Sequence, residues 1–263
     1  MPEDVLAAIV RAVETRLARR PAEPDLEAQA LRARARRERE GSRSLRKALA
    51  APGLSIIAEC KRKSPSAGVL RDPFDPVALA VAYAQGGARA ISVVTEPDFF
   101  GGDPSWIGSV RRAVSLPVLR KDFIISPRQL LETAVLGADA VLLIARILDD
   151  RMLQTLVQLA SELGLEVLLE LFIDEDPSRA VEAAVPMIGV NARNLKTFDI
   201  DLRAVERLGA VLPSGRPWVA ESGIHGADDL QRLAAAGYDG FLIGEHLVTS
   251  VDPASEVHTL LTS

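Results

Sequence analysis

The sequence has little or none of several features, and each shortage excludes a class of protein. Cys60 is the single cysteine in 263 residues, so we expect a buried thiol and neither an intramolecular disulfide nor a thiolate metal cluster. No apolar run approaches the roughly 18 residues of a membrane span. The first residues, MPEDVLAAIV, carry acids where a signal peptide has basic residues and an apolar core. These absences predict a cytoplasmic protein that spans no membrane.

The chain also has fewer basic than acidic residues. The net charge is −5 and the sequence pI is about 5.4, which argues against a nucleic-acid-binding surface. Residues 31–47 are locally rich in arginine, yet they contain Glu38 and Glu40. We interpret this segment as a solvated helix face, the alternative being an RNA-binding arm. No nucleic-acid partner is therefore expected.

What the chain does have is a regular alternation of apolar runs and helical stretches. Eight runs rich in Val, Ile and Leu are candidate strands: residues 54–60, 89–95, 116–120, 139–144, 166–171, 187–191, 217–221 and 240–244. The segments between them, such as SPRQLLETAVLG, have the apolar periodicity of helices. Strands that are apolar along their length and alternate with helices favour a parallel sheet with the helices outside it.

A weak internal repeat suggests that this sheet closes. Gly87, Gly137 and Gly237 each end a predicted helix just before a strand, at a pitch of about 25 residues per unit. Eight such units predict an α/β fold, a single-domain (β/α)8 TIM barrel, with an open doubly wound sheet as the alternative. Residues 1–50 form a predicted N-terminal helical extension that could cover one mouth of the barrel, and residues 51–263 form the barrel itself.

The predicted strand ends are dense in polar residues, and in such barrels the C-terminal ends carry the chemistry. These residues are Glu59, Lys61, Thr95, Glu96, Lys121, Asp122, Glu170, Asn191, Arg193, Glu221, Ser222 and Gly244. Each one alone is equally consistent with a salt bridge or a loop cap, but together they favour an active site. Only five of the 31 basic residues are lysine, and two of them, Lys61 and Lys121, lie at strand ends. Because a lysine ammonium can be tuned to donate a proton, this usage indicates acid catalysis.

The loops after the last two strands have the character of a phosphate site. AESGIHG and LIGEHL each run from a strand through glycine towards a helix, so Ser222, Gly223, Gly244 and Glu245 could hold a phosphate largely through backbone N–H groups. Residues 62–76 form a long, basic connection of the kind that often serves as a lid, which suits an anionic substrate.

Six motifs in register resemble one known family. IIAECKRKSPSAG, TEPDFFGG, PVLRKDFI, GVNARNLKTFDIDL, AESGI and GFLIGEHL are similar to the motifs of indole-3-glycerol phosphate synthases of tryptophan biosynthesis, from about residue 50 to about residue 250. The resemblance implies ring closure, decarboxylation and dehydration of 1-(2-carboxyphenylamino)-1-deoxyribulose 5-phosphate to indole-3-glycerol phosphate. It implies no cofactor and no metal.

The resemblance also implies roles for individual residues. Lys121 matches the general acid and Glu170 the general base, while Glu59 and Lys61 match a pair that binds the carboxylate and takes part in proton transfer. How the two lysines divide the acid roles stays open. The remaining matches contact substrate or phosphate: Asn191, Glu221, Ser64, Arg193, Ser222, Gly223, Gly244 and the N–H of Glu245.

Some positions depart from the family or have simpler explanations. Phe172 stands where many relatives carry histidine two residues after the base, and the side chain of Glu245 has to point away from the phosphate. Aromatic contacts are expected from Phe123 and Phe99, whereas the two tryptophans are expected to pack. The three histidines lack ligand spacing and are expected at the surface or in loops; they are His225, His246 and His258.

Two rival functions remain open at this point. One is a different phosphosugar enzyme on the same barrel, although that chemistry does not call for two lysines with two glutamates. The other is a sensor or scaffold that binds a phosphorylated ligand without catalysis, which the intact Lys121 and Glu170 argue against. The expected partner is a small phosphosugar–anthranilate substrate, and the expected assembly is a monomer or a weak homo-oligomer.

Overall fold

The computed structural model describes residues 5–19, 26–175, 177–194, 199–209 and 211–263. Eight strands form a closed parallel barrel in the order β1-β8-β7-β6-β5-β4-β3-β2. The strands are β1 (Ile56–Cys60), β2 (Ala90–Val94), β3 (Val118–Lys121), β4 (Ala140–Ile144), β5 (Glu166–Phe172), β6 (Met187–Asn191), β7 (Trp218–Glu221) and β8 (Gly240–Ile243). Ile57 pairs with Ala90 on one side and with Leu242 on the other, which closes the sheet. The predicted barrel is confirmed and the open sheet is wrong.

Helices precede and surround the strands. They are α1 (Val5–Arg19), α2 (Leu26–Glu40), α3 (Leu45–Leu49), α4 (Pro76–Gly86), α5 (Pro97–Phe100), α6 (Ser105–Ala113), α7 (Pro127–Leu136), α8 (Asp150–Glu162), α9 (Ser178–Glu182), α10 (Leu202–Gly209), α11 (Ala227–Ala235), α12 (Glu245–Thr249) and α13 (Pro253–Thr262), with a 3-10 turn at Ala145–Ile147. The segment RRPAEPDLEAQ, residues 19–29, predicts a break in the N-terminal helical extension, and most of it, residues 20–25, lies outside the described residues. Among the described helices none is both long and apolar enough to cross a membrane.

The strands bury both of their faces, as a barrel surrounded by helices requires. Ile57 points into the barrel and packs with Leu119 and Leu168, whereas Ile56 belongs to the layer between strands and helices. Cys60 lies in that outer layer, and burial raises the pKa of its thiol. Because alternate residues share a face, Glu59 lies on the inner face with Ile57.

Helix α3 closes the N-terminal mouth of the barrel. Its N-cap, Ser44, accepts a hydrogen bond from the Lys47 N–H (3.0 Å) and donates one to Glu166 Oε1 (2.7 Å) at the start of β5. Leu45 and Leu49 are fully buried against the residues inside the barrel. Burying a leucine side chain stabilises a fold by about 1.5–3 kcal/mol, so α3 seals this end with apolar packing.

Helix α1 lies at the opposite, C-terminal mouth. Leu6, Ile9 and Val13 form its buried face. Its last turn is held by Arg16, whose Nη1 lies 2.6 Å from Asp98 Oδ2 and 3.3 Å from Glu96 Oε1. The N-terminal segment therefore contacts both ends of the barrel, while its division from the barrel at residue 50 stays a prediction.

The connection after β1 contains a small hairpin, Lys63–Ser64 paired with Gly68–Val69. Lys63 Nζ donates to Asp98 O (3.0 Å), and Arg71 Nη1 donates to Val248 O (2.8 Å) at the far side of the mouth. These bonds anchor both ends of the connection beside the cavity, and its predicted movement as a lid stays a prediction.

Candidate active site

A cavity of about 290 Å³ opens at the C-terminal mouth of the barrel. It is lined by every residue to which the family resemblance assigns a role, and by Phe123: Glu59, Lys61, Ser64, Lys121, Phe123, Glu170, Asn191, Arg193, Glu221, Ser222, Gly223, Gly244 and Glu245. The position follows from the fold, because parallel strands present their C-terminal ends at one rim.

Glu59 and Lys61 form the first charged pair of the cavity. Lys61 Nζ lies 3.1 Å from Glu59 Oε1, and the Glu59 side chain is 3% exposed. Among the described residues, its second oxygen, Oε2, is buried and has no hydrogen-bond partner. Gly244 makes room for this carboxylate, since a Cβ at that position would lie 2.4 Å from Glu59 Oε1. The pair is therefore held at the cavity wall with one carboxylate oxygen still able to accept a hydrogen bond.

Lys121 bridges two further carboxylates. Its Nζ lies 3.0 Å from Glu170 Oε2 and 3.0 Å from Glu221 Oε2. Burial disfavours the ammonium, but the surrounding carboxylates, Glu170 and Glu221 foremost, outweigh burial and raise the pKa of Lys121 above its usual range. Lys121 is therefore charged at neutral pH and carries a proton.

Glu221 is the carboxyl group that resists ionisation. Burial, together with the negative charge of Glu170, outweighs the Lys121 ammonium and raises the pKa of Glu221 to about 8. Its Oε1 is buried and has no hydrogen-bond partner in the part of the chain that the structure describes. It lies where a Cβ on residue 189 would stand, so Gly189 accommodates it. Glu221 therefore holds its proton more tightly than an exposed glutamate does.

The ends of β6, β7 and β8 form the other side of the cavity. Asn191 Oδ1 accepts a hydrogen bond from the Arg193 N–H (2.9 Å), which holds the backbone after β6. Ser222 and Gly223 both have left-handed backbone conformations, with φ of 69° and 76°. The Glu245 carboxylate lies beside Arg193, with Oε2 4.0 Å from Nη2.

Two phenylalanines form an aromatic part of the wall. Phe123 and Phe100 line the cavity with ring centroids 6.0 Å apart and planes tilted by 35°. Phe100 is held on α5 by the buried Glu96, which accepts hydrogen bonds from three backbone N–H groups of that helix. The prediction for Phe123 agrees with this position, whereas Phe100 takes the place expected for Phe99.

Comparison with known proteins agrees with this geometry. The family model described as indole-3-glycerol phosphate synthase matches residues 6–260. The chain belongs to this family. Membership places it among the carboxy-lyases of tryptophan biosynthesis.

Similar proteins support the assignment. The indole-3-glycerol phosphate synthase of Mycolicibacterium gilvum is 49% identical over 216 residues, covering 82% of this chain and 79% of that protein. The Rhodococcus opacus protein of the same name is 47% identical, with coverage of 82% and 80%. Among solved structures, a thiamine phosphate pyrophosphorylase from Pyrococcus furiosus has a TM-score of 0.59 at 17% identity, covering 82% of this chain and 96% of that one, which supports the fold alone.

Phe172, at the position where many relatives are expected to carry histidine, packs against a neighbouring cation. Phe172 is buried inside the barrel, and the Arg146 guanidinium carbon lies 4.4 Å from the centre of its ring. Arg146 is also paired with Asp174 and lies 3.8 Å from Glu175 Oε2. The aromatic ring is thus covered by a cation, and Glu170 keeps its contact with Lys121.

Several cavity residues were not anticipated. Val5, Leu6 and Ile9 of α1 line the mouth, and no local motif marked them because they come from a separate helix. His225 is exposed in the loop after β7 and His258 is exposed on α13, as expected, whereas His246 is only partly exposed on α12. The sequence did not predict that His225 and His246 line the cavity.

The remaining strand-end residues have structural roles, and the tryptophans pack as expected. Thr95 Oγ1 donates to Asp122 Oδ2 (2.6 Å), which also contacts Arg120 (2.8 Å). The Trp106 ring lies 5.0 Å from the Phe74 ring. Within the described ranges, no three His, Cys, Asp or Glu side chains are grouped as metal ligands.

Proposed function

We propose that this chain converts 1-(2-carboxyphenylamino)-1-deoxyribulose 5-phosphate to indole-3-glycerol phosphate, CO2 and water. The observation that carries the proposal is the Lys121 ammonium, held 3.0 Å from Glu170 and 3.0 Å from Glu221 in the barrel cavity. An acid and a base in contact, inside a cavity with aromatic and polar walls, match the needs of a ring closure followed by dehydration.

The first step forms a carbon–carbon bond. The aromatic carbon that bears the carboxylate attacks the ketone carbon, and the ketone oxygen gains the electron pair of the C=O π bond. Lys121 donates a proton to this oxygen, since the neighbouring carboxylates keep its ammonium charged at neutral pH. Protonation removes the negative charge as it develops, which lowers the barrier to closure.

The second step releases CO2. The bond between the ring carbon and the carboxylate breaks, and its electron pair returns to the ring and restores aromaticity. Lys61, paired with Glu59 at 3.1 Å, is placed to orient the carboxylate before it leaves. The electrons balance within the substrate, so the step requires no external oxidant or reductant.

The third step removes water. Glu170 takes a proton from the methylene carbon next to the nitrogen, and the hydroxyl group leaves with a proton from an ammonium group. Lys61 can supply this proton, as can Lys121 once solvent has replaced the proton that it gave in the first step, and their division of the two acid roles is part of the test below.

Substrate placement completes the proposal. The phosphate binds at Gly223, Gly244 and the Glu245 N–H, beyond the ends of β7 and β8 where such barrels commonly hold phosphate. Asn191, Arg193, Ser64 and Ser222 contact the hydroxyls and the ring substituents, and Phe123 packs with Phe100 against the aromatic ring. We also propose a cytoplasmic monomer or weak homo-oligomer without a nucleic-acid partner; sedimentation as a tight oligomer, or co-purification of nucleic acid, would contradict this.

The test of the reaction is indole fluorescence after mixing purified protein with the substrate in EDTA. Wild-type protein should turn over, and Lys121→Ala should lose about a hundredfold or more in kcat. Lys47→Ala, at an exposed lysine of α3, is the matched control and should retain wild-type turnover.

Other outcomes would change the conclusion. A folded wild-type protein that binds the substrate without producing fluorescence would contradict the enzyme and favour the sensor. Equal rates for wild type and Lys121→Ala would keep the reaction and transfer the acid role to Lys61.

A further inference from the structure

Two of the three histidines of this chain lie on the cavity wall beside the proposed phosphate position. His225 follows Gly223 by two residues and His246 follows Gly244 by two residues, and all four line the cavity. Their rings lie edge to face with centroids 6.0 Å apart. The loops after β7 and β8 therefore bring two imidazoles together where a phosphate would enter.

Both histidines are held by neighbouring groups. His246 Nε2 lies 2.7 Å from Glu256 Oε1 of α13, and both side chains are only partly exposed, at 26% and 31%. The His225 N–H donates to Asp229 Oδ2 (2.9 Å), which fixes its backbone at the start of α11. A carboxylate bonded to one ring nitrogen fixes the orientation of the imidazole.

The charged groups described around the proposed phosphate position are engaged by other groups, which leaves His225 and His246 a role in binding the phosphate. Lys61 and Lys121 are engaged by Glu59, Glu170 and Glu221, deeper in the cavity. Arg193 and Glu245 carry opposite charges 4.0 Å apart, and Arg71 is directed to carbonyl groups at the end of α12. An anion between Gly223 and Gly244 therefore gains from the His225 and His246 rings, which line the same cavity two residues after each glycine.

We propose that His225 and His246, the latter oriented by Glu256, bind the phosphate group of the substrate and set its affinity. The inference rests on the proposed function for the position of the phosphate. His246 is a binding residue and Glu256 a positioning residue, because Glu256 acts through the ring of His246.

The experiment measures phosphate binding and turnover separately. Inorganic phosphate is titrated by calorimetry into wild type, His246→Asn, the double variant His225→Asn/His246→Asn, and Glu256→Gln. His258→Asn, at the exposed histidine of α13, is the matched control. KM and kcat for the phosphorylated substrate are then measured for the same proteins.

Loss of a charge-assisted hydrogen bond predicts that His246→Asn raises the phosphate Kd and the substrate KM by about tenfold, with a much smaller change in kcat. The double variant should lose more, Glu256→Gln less, and His258→Asn nothing. A merely structural role would lower kcat or thermal stability without this selective loss of phosphate affinity.

Unchanged phosphate Kd and substrate KM in His246→Asn and in the double variant would overturn the inference. If the histidine variants do not fold, Glu256→Gln decides alone, and an unchanged phosphate Kd there would overturn it equally. Weaker phosphate binding in the variants of a protein that makes no indole product would keep this inference and contradict the proposed reaction.

Discussion

Both mouths of the barrel bury carboxylates, but among the residues that the structure describes only the C-terminal mouth has buried carboxylate oxygens without a hydrogen-bond partner. There, Asp139 Oδ1 accepts hydrogen bonds from the Arg43 N–H (3.1 Å) and from Arg111 (3.0 Å), and Oδ2 accepts one from the Val118 N–H (3.1 Å). At the C-terminal mouth, Glu59 Oε2 and Glu221 Oε1 are buried and accept none. Because an unsatisfied buried oxygen opposes folding, the fold tolerates such atoms at the mouth where substrate binds.

Strand β5 carries the same contrast along its own length. Glu166 and Glu170 point to the same face, about 13 Å apart at a rise of about 3.3 Å per residue. Glu166 accepts hydrogen bonds from Ser44 Oγ (2.7 Å) and from the Arg46 N–H (2.9 Å), which fasten α3 to the barrel. Glu170 contacts the Lys121 ammonium in the cavity. The same residue type thus stabilises the fold at one end of a strand and faces the reaction at the other.

The largest expected effect is on kcat, which should fall for a variant of Glu170 but not for a variant of Glu166. Glu170→Gln removes the base while keeping the shape of the side chain, so kcat should fall by about 100-fold to 10,000-fold with little loss of stability. Glu166→Gln is the matched variant on the same strand, and it should keep its kcat while unfolding more easily. Steady-state kinetics and urea denaturation measure both quantities, and equal losses of kcat in the two variants would contradict the division between the mouths.

The next effect tests stability at the N-terminal mouth. Asp139→Ala leaves Arg111 and two backbone N–H groups without their acceptor, so the free energy of unfolding should fall by about 3–5 kcal/mol. Substrate turnover below the unfolding transition should stay close to wild type. Asp228→Ala, at an exposed carboxylate of α11, provides the control and should change stability by about 0.5 kcal/mol or less. A loss in Asp139→Ala no larger than in that control would refute the comparison.

The smallest effect is a pH dependence at the C-terminal mouth. Folding raises the pKa of Glu221 from its ordinary 4.5 to about 8, so the folded chain holds this proton more tightly than the unfolded chain. The resulting stability is fully present below the unfolded pKa and is lost as the pH rises through the folded pKa. Glu221→Gln cannot ionise, so its Tm relative to wild type should increase between about pH 5 and about pH 9. Scanning calorimetry across this range measures the difference, and a constant or falling difference would exclude a raised pKa.

Local patterns accounted for a large part of the site. Each apolar run correctly predicted a strand. Polar residues at strand ends, such as Lys121 and Glu221, line the cavity because a closed parallel sheet presents those positions at one rim. Glu59 on β1 and Lys61 just after it are two residues apart, a spacing that predicts a shared face, and their side chains contact each other at the cavity wall. The catalytic and binding roles of these residues stay predictions until the variants are measured.

Local patterns did not predict the contacts between segments that are distant in the sequence. The motif TEPDFFGG did not show which phenylalanine faces the cavity, because the direction of the short helix α5 depends on Glu96 and Arg16. The placement of His246 depends on how α12 and α13 pack, and on the Glu256 carboxylate.

By itself, the sequence determined the class of fold, the order of the strands along the chain and the residues at their C-terminal ends, because side-chain alternation and strand–helix spacing are local properties. Only the tertiary structure decided that Lys121 lies between Glu170 and Glu221, which are 49 and 100 residues away along the chain. It also decided that Gly189 and Gly244 accommodate two buried carboxylates. The physical reason is that barrel closure sets the distances between strand ends, and those distances set the pKa values of the groups that meet there.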